Sequence, residues 1–242
     1  MEDILELENP DLLVSNRMTR FKDSGWYQRD NMPAVLVLGC GSIGSFLSLC
    51  LSRTECPLYL YDMDTFDEVN FSGQLCKKGD GGKLKTTALI ETLALLNDGV
   101  NYVQDSGLEY NNSCPTNNIV FSCFDNMKAR ILAFNKWKEY ENREIFIDGR
   151  INAESFQVFF VQKGNEEEYM KNLFDDSQVA DLPCTYKSTT HCSMQIASMM
   201  MAGFANYLFN KRVGDTIREI PFKYELIMPI FKNVIENVGN TK

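Results

Sequence analysis

The chain has 242 residues, enough for one large domain with a sizeable core. Hydrophobic residues make up 44% and charged residues 24%, which excludes a disordered chain. A net charge of -9 opposes attraction to nucleic acid or anionic lipid, because those partners reward clustered Lys and Arg.

The acidic start, Met1 to Pro10, has no apolar signal core, and no apolar run is long enough to span a bilayer. A cytoplasmic protein without a membrane partner is expected, with most of its eight cysteines reduced. No CxxC pair occurs, so neither a zinc ribbon nor a thioredoxin-type motif is supported.

Residues 1–30 read as a polar, partly helical arm carrying Arg17, Arg20 and Arg29, which leaves 31–242 as one domain. Ala34 to Leu38 is a continuous apolar run, the pattern of a strand buried on both faces of a parallel sheet. A helix over Ser45 to Leu51 and a strand over Leu58 to Tyr61 follow. Lys83 to Leu96 has helical apolar spacing. Tyr102–Val103 is a weak strand candidate and Asn118 to Ser122 a better one. Lys128 to Tyr140 is helical by spacing. Ile145 to Ile147, ending on Asp148-Gly149, and Gln157 to Gln162 read as strands. A polar crossover loop is predicted over residues 164–192. The apolar helix Met194 to Phe209, a strand within Pro221 to Met228 and a polar tail complete the chain. Alternating strands and helices predict an α/β fold with a doubly wound, mostly parallel, Rossmann-like sheet.

Gly39-Cys40-Gly41-Ser42-Ile43-Gly44 follows the first strand and opens a helix. Glycines allow a tight turn and close backbone approach, and the helix N-terminus offers free amides to a phosphate. Asp62 ends the second strand, where an acid can accept both ribose hydroxyls. To this point a nicotinamide or flavin enzyme fits equally well. The separation comes later, at Asp62-Met63-Asp64, Asn70 to Gln74, Gly82-Lys83-Leu84-Lys85, and Phe124-Asp125-Asn126 with Arg130. Hydride transfer needs no lysine and acid aimed at a triphosphate, whereas nucleotidyl transfer needs both. The basic run Lys77, Lys78, Lys83 and Lys85 is a phosphate-holding candidate or a solvated loop.

In this order the motifs resemble those of ThiF/MoeB adenylyltransferases and of the adenylation domains of ubiquitin-activating enzymes, over roughly residues 16 to 210. The match includes the arm's Arg17-x-x-Arg20. The resemblance implies ATP and Mg²⁺ as cofactors. Gly39, Gly41, Ser42 and Gly44 would form the nucleotide loop and Asp62 would bind ribose. Asp64, Asn70, Gln74 and Lys85 would surround the phosphates, Asp125 would hold Mg²⁺, and Asn126 would lie beside adenine or the metal. Arg20 would reach into the partner's site across a homodimer. The acceptor would be a ubiquitin-like or sulfur-carrier protein with a C-terminal glycine. Two departures stand out. Gly73 occupies the place of an arginine, with Lys77 or Lys78 as substitutes, and Lys187 stands where a zinc-binding partner of Cys184 would fall, so zinc is not expected.

A second, covalent step would use a cysteine. Pro183-Cys184-Thr185 looks like the thioester site of ubiquitin-activating enzymes, while Cys192 matches the sulfur-transfer position and, at a helix N-terminus, is predicted to favour the thiolate. A buried structural role is the alternative for each. His191 reads as a loop or cap residue. Rival functions are a tRNA threonylcarbamoyladenosine dehydratase, which the acidic balance opposes, an NAD-dependent oxidoreductase, a degenerate scaffold, and activation of a short peptide terminus or amino acid.

Overall fold

The computed structural model describes residues 19–21, 23–97, 103–174 and 188–238. Arg17, Cys184 and Lys187 lie outside them, as does much of the expected arm and crossover loop.

Eight strands form one sheet in the order β3-β2-β1-β4-β5-β6-β7-β8. They are β1 (Val35–Leu38), β2 (Leu58–Tyr61), β3 (Val103–Asp105), β4 (Ile119–Ser122), β5 (Ile145–Asn152), β6 (Ser155–Gln162), β7 (Lys223–Ile227) and β8 (Lys232–Glu236). Pairings from β3 through β5 are parallel, and those from β5 to β8 are antiparallel. The helices are α1 (Ser42–Ser52), α2 (Lys85–Leu96), α3 (Met127–Glu139), α4 (Glu166–Met170) and α5 (Thr190–Val213).

Both faces of the sheet are covered, which explains why β1 and β4 are buried at every position and apolar throughout except at Ser122. On one face Val35, Val37, Phe121 and Ile147 meet Leu47, Leu51, Leu93, Ile196 and Phe204 of α1, α2 and α5. On the other, Leu36, Leu38, Val120 and Phe146 meet Phe134 and Trp137 of α3 and Tyr169 of α4. Successive strand residues therefore divide between two cores, as the period of two requires.

The predicted elements are present, with instructive differences. α1 starts at Ser42 rather than Ser45 because Gly44 lets the helix begin in contact with the turn before it. β5 continues past Asp148-Gly149 to Asn152, since β6 pairs along its whole length. The region expected to be loop contains the short helix α4, whose Tyr169 is buried. The expected polar tail instead forms β8, an edge strand whose alternation is hidden because most of its residues are exposed. α5 ends at Gly214, whose left-handed φ of +71° suits a helix C-cap.

Close packing of α5 on the sheet depends on Gly203, where a Cβ would come within 1.9 Å of the Phe160 ring. Gly203→Ala is expected to destabilise the fold by about 1–3 kcal/mol through overpacking. A fall in the urea midpoint without a change in far-UV circular dichroism would show this.

Candidate nucleotide site

The chain leaves β1 toward β2 on one side, while β4 pairs on the other, so strand order reverses between β1 and β4. In open α/β sheets the crevice at the carboxyl ends of such strands is where ligands bind. The loop after β1 and the loop after β4 both open there.

Two glycines shape the first loop. Gly39 has φ of +92°, and a Cβ there would lie 2.7 Å from the Cys123 carbonyl oxygen. At Gly44 a Cβ would lie 1.8 Å from the Gly39 carbonyl oxygen, so α1 can abut the turn only through glycine. Gly41 differs: its nearest neighbour would be Gln74 Nε2 at 3.9 Å, which leaves room above the loop. No side chain caps α1, and its first turn holds no acid, so its leading amides face that space as anion donors.

Asp62 ties this loop to the end of β2. It accepts from Cys40 N–H at 2.7 Å and Asp64 N–H at 2.9 Å. Burial raises its carboxyl above the usual range, an effect partly opposed by the Cys40 hydrogen bond and by Lys85. Lys85, the first residue of α2, donates to Asp64 Oδ2 at 2.7 Å. Burial pulls the Lys85 ammonium down, but Asp64, Asp62 and Asp125 together raise it, so it stays charged through neutral pH. One cation thus faces three acids.

Asp125 is exposed on the loop after β4. Asn126 caps α3 by accepting from Ala129 N–H at 2.9 Å, and its amide donates to Asp125 Oδ1 at 3.3 Å. Its side chain is committed to holding this corner, in addition to any ligand role. Below it, buried Arg130 donates to the Phe124 carbonyl at 2.5 Å, to the Gly149 carbonyl at 3.2 Å and to Asp148. Asp148, fully buried, also accepts from Arg150 Nε at 2.8 Å and from the Tyr169 hydroxyl at 2.9 Å. This buried pair anchors the backbone one residue before Asp125. The sequence shows Arg130 but nothing of its partner in β5.

Asn70 accepts from Asp67 N–H at 2.9 Å and completes a capping box at the turn Glu68–Ser72. Gln74 Oε1 is buried without a partner. Lys77, one of the two lysines expected to stand in for the arginine at Gly73, pairs through Nζ with Glu91 at 3.0 Å, and Lys83 joins the same carboxylate at 2.6 Å. Glu91 lies six residues beyond Lys85 on α2, on another face of that helix. The space beside Gly73 is taken by Ser188, whose Oγ would be 2.9 Å from a Cβ there.

Cys192 departs from its predicted character. Although third in α5, its side chain is fully buried, and burial, reinforced by Glu154, pushes its thiol up to about 11. Desolvation outweighs the helix N-terminus. His191, exposed, makes contacts of 3.2 Å with Glu154 Oε1 and 3.3 Å with Thr189 Oγ1.

Arg20 is not brought to this crevice. Its neighbour Phe21 stacks with Trp26 and Tyr27, and Gly25 packs against Phe209 near the far end of α5. Phe209 is about 28 Å along the helix axis from Thr190. The end of α5 beside the glycine loop is the other one, since Ser188 reaches Ser42 at 3.1 Å.

Among the described residues no group of three or more metal-ligating side chains converges. Mg²⁺ does not need one, because it binds through one or two carboxylates plus phosphates and water, and the exposed carboxylate of Asp125 fits that donor set. ATP fits too: the room above Gly41, the uncapped amides of α1 and the donating Gln74 Nε2 amide lie at the same loop. Nor is any helix among the described residues long and apolar enough to cross a membrane.

The fold is a doubly wound α/β domain with a crevice at its switch point. The family model for ThiF matches residues 15–228, and the chain belongs to the ThiF family. It is similar to Ubiquitin-like modifier-activating enzyme 5 of Arabidopsis thaliana, 30% identical over 126 residues, covering 43% of this chain and 29% of that protein. In structure it resembles E. coli MccB with ATP, at a TM-score of 0.67 and 19% identity, over 87% of this chain and 65% of that one. MccB with MccA gives a TM-score of 0.71 at 18% identity, over 94% of this chain and 72% of that one. At these identities the likeness shows the fold, and the chain spans under a third of the curated relative.

Two outcomes are expected. Arg130→Ala removes one of the two guanidiniums on buried Asp148, with Arg150 still paired, and should destabilise the chain by about 1.5–3 kcal/mol in urea denaturation. Iodoacetamide at pH 8 should leave Cys192 unmodified in the native chain and alkylate it in urea, as read by peptide mass spectrometry.

Proposed function

We propose that the chain activates a polypeptide carboxylate by adenylation, joining it to the α-phosphate of ATP and releasing pyrophosphate. The observation that carries this reading is the convergence of the glycine loop, Asp62, Lys85 and Asp125 on one switch-point crevice in a ThiF-family chain. A carboxylate oxygen forms the new bond to phosphorus as the bond to pyrophosphate breaks, and no side-chain nucleophile is needed. Asp62 accepts the ribose hydroxyls. The amides of Gly41 and Ser42 and the ammonium of Lys85 face the charge that builds on the phosphates. Mg²⁺, held by Asp125, would add a second positive charge at those oxygens. Asn70 and Gln74 line the phosphate side, with the Gln74 Nε2 amide beside Gly41 as a donor. Asn126 orients Asp125.

Lys85 forms an ion pair with Asp64 at 2.7 Å within this group of acids. An oxidoreductase would have no use for that cluster of charges, and a scaffold no reason to retain it. The carboxylate is assigned to a ubiquitin-like or sulfur-carrier protein ending in glycine, in keeping with the named activity of the Arabidopsis relative. The MccB structures with MccA favour a short peptide as the second reading. The distance of Arg20 from its own glycine loop suits a homodimer in which each arm serves the other site. Should a thioester or sulfur-transfer step follow, Cys184 keeps the better sequence setting, and Cys192 would have to be uncovered first. The free thiols suit a reducing compartment, and the reading places the chain in the cytoplasm.

Asp125→Ala is expected to reduce carboxylate-dependent pyrophosphate exchange into ATP by at least about a hundredfold, with the thermal midpoint unchanged. Exchange at the wild-type rate in that variant would remove Asp125 from the site.

A further inference from the structure

We propose that Ser188 is a phosphate-positioning residue of the nucleotide site, and that Gly73 is a glycine in order to admit it. The inference rests on the reading of the crevice as an ATP site. Ser188 is held from several sides. Its backbone bridges Ala153 beyond the end of β5, and Thr190, two residues on, donates to the Ser72 carbonyl at 2.5 Å. Gly73 is buried directly beneath it, where a Cβ would stand 2.9 Å from Ser188 Oγ and 3.5 Å from its carbonyl oxygen. Any side chain at 73 would displace the hydroxyl.

So placed, Ser188 Oγ lies 3.1 Å from Ser42 Oγ, on the first residue of α1. Each hydroxyl carries one proton, and a single hydrogen bond between them uses one of the two. Whichever serine donates, one proton is left for another acceptor. It sits beside the uncapped leading amides of α1, where anionic oxygens bind. Gln74, next to Gly73 in the chain, adds its amide to the same junction, within 3.9 Å of where a Gly41 Cβ would be. The pair thus supplies a neutral, charge-assisted donor to phosphate at a position where Lys77 and Lys83 are drawn away by Glu91.

The test is calorimetric titration of Mg-ATP and, separately, adenosine into the wild-type chain, Ser188→Ala, Gly73→Ala and the double variant. Ser188→Ala should weaken ATP about tenfold, the usual loss for a hydrogen bond to a charged group, and leave adenosine unchanged. Gly73→Ala should lose a similar factor by pushing the hydroxyl aside, and the double variant should be no worse than Ser188→Ala alone. Wild-type ATP affinity in Ser188→Ala overturns the proposal. So do equal losses for ATP and adenosine with a lowered thermal midpoint, which would mark a structural contact, and so do multiplying losses in the double variant. No ATP binding by the wild-type chain would bring down the adenylation reading, and this inference with it.

Discussion

The architecture of the crevice depends on backbone meeting backbone without side chains between. α1 starts against the Gly39 carbonyl, and Gly39 lies against Cys123 after β4, at separations that no Cβ would fit. That contact fixes the distance between the two loops at the switch point. Two of the crevice's acids are attached to these loops: Asp62 through Cys40 N–H on the β1 side, and Asp125 through Phe124 and Arg130 on the β4 side.

Charge is arranged to match. The chain is acidic overall, and its crevice is acidic as well, with Lys85 as the cation among Asp62, Asp64 and Asp125. On the proposed reading such a crevice would receive a polyphosphate poorly by itself and well with a divalent ion, which would give the exposed carboxylate of Asp125 its electrostatic purpose. The buried group Arg130, Asp148, Arg150 and Tyr169 acts on Asp125 at a distance, through the backbone it restrains.

Much of this was legible in the sequence because the relevant signals are local. β1, β2 and β4 are short apolar runs, and the glycine loop and Asp62 follow them at fixed spacing. What escaped depends on pairing and burial. β8 has too few buried residues to show alternation, and β5 looked finished at Asp148-Gly149 until β6 supplied a partner. Cys192 looked like a thiolate because position in a helix is visible in sequence and desolvation is not. Ser188 carried no signal at all, standing in a polar stretch 146 residues from the serine it meets.

The thiols carry a final consequence. Cys40, Cys56, Cys123 and Cys192 are buried, and burial holds each in its protonated form. Oxidants and alkylating agents attack thiolates, so these four sulfurs are shielded by the fold itself. Vulnerability passes to the nascent and unfolded chain, in which all of them are accessible at once. For these four, oxidative damage falls on molecules that have yet to fold, while the partly exposed Cys50, Cys76 and Cys114 do not share that shielding.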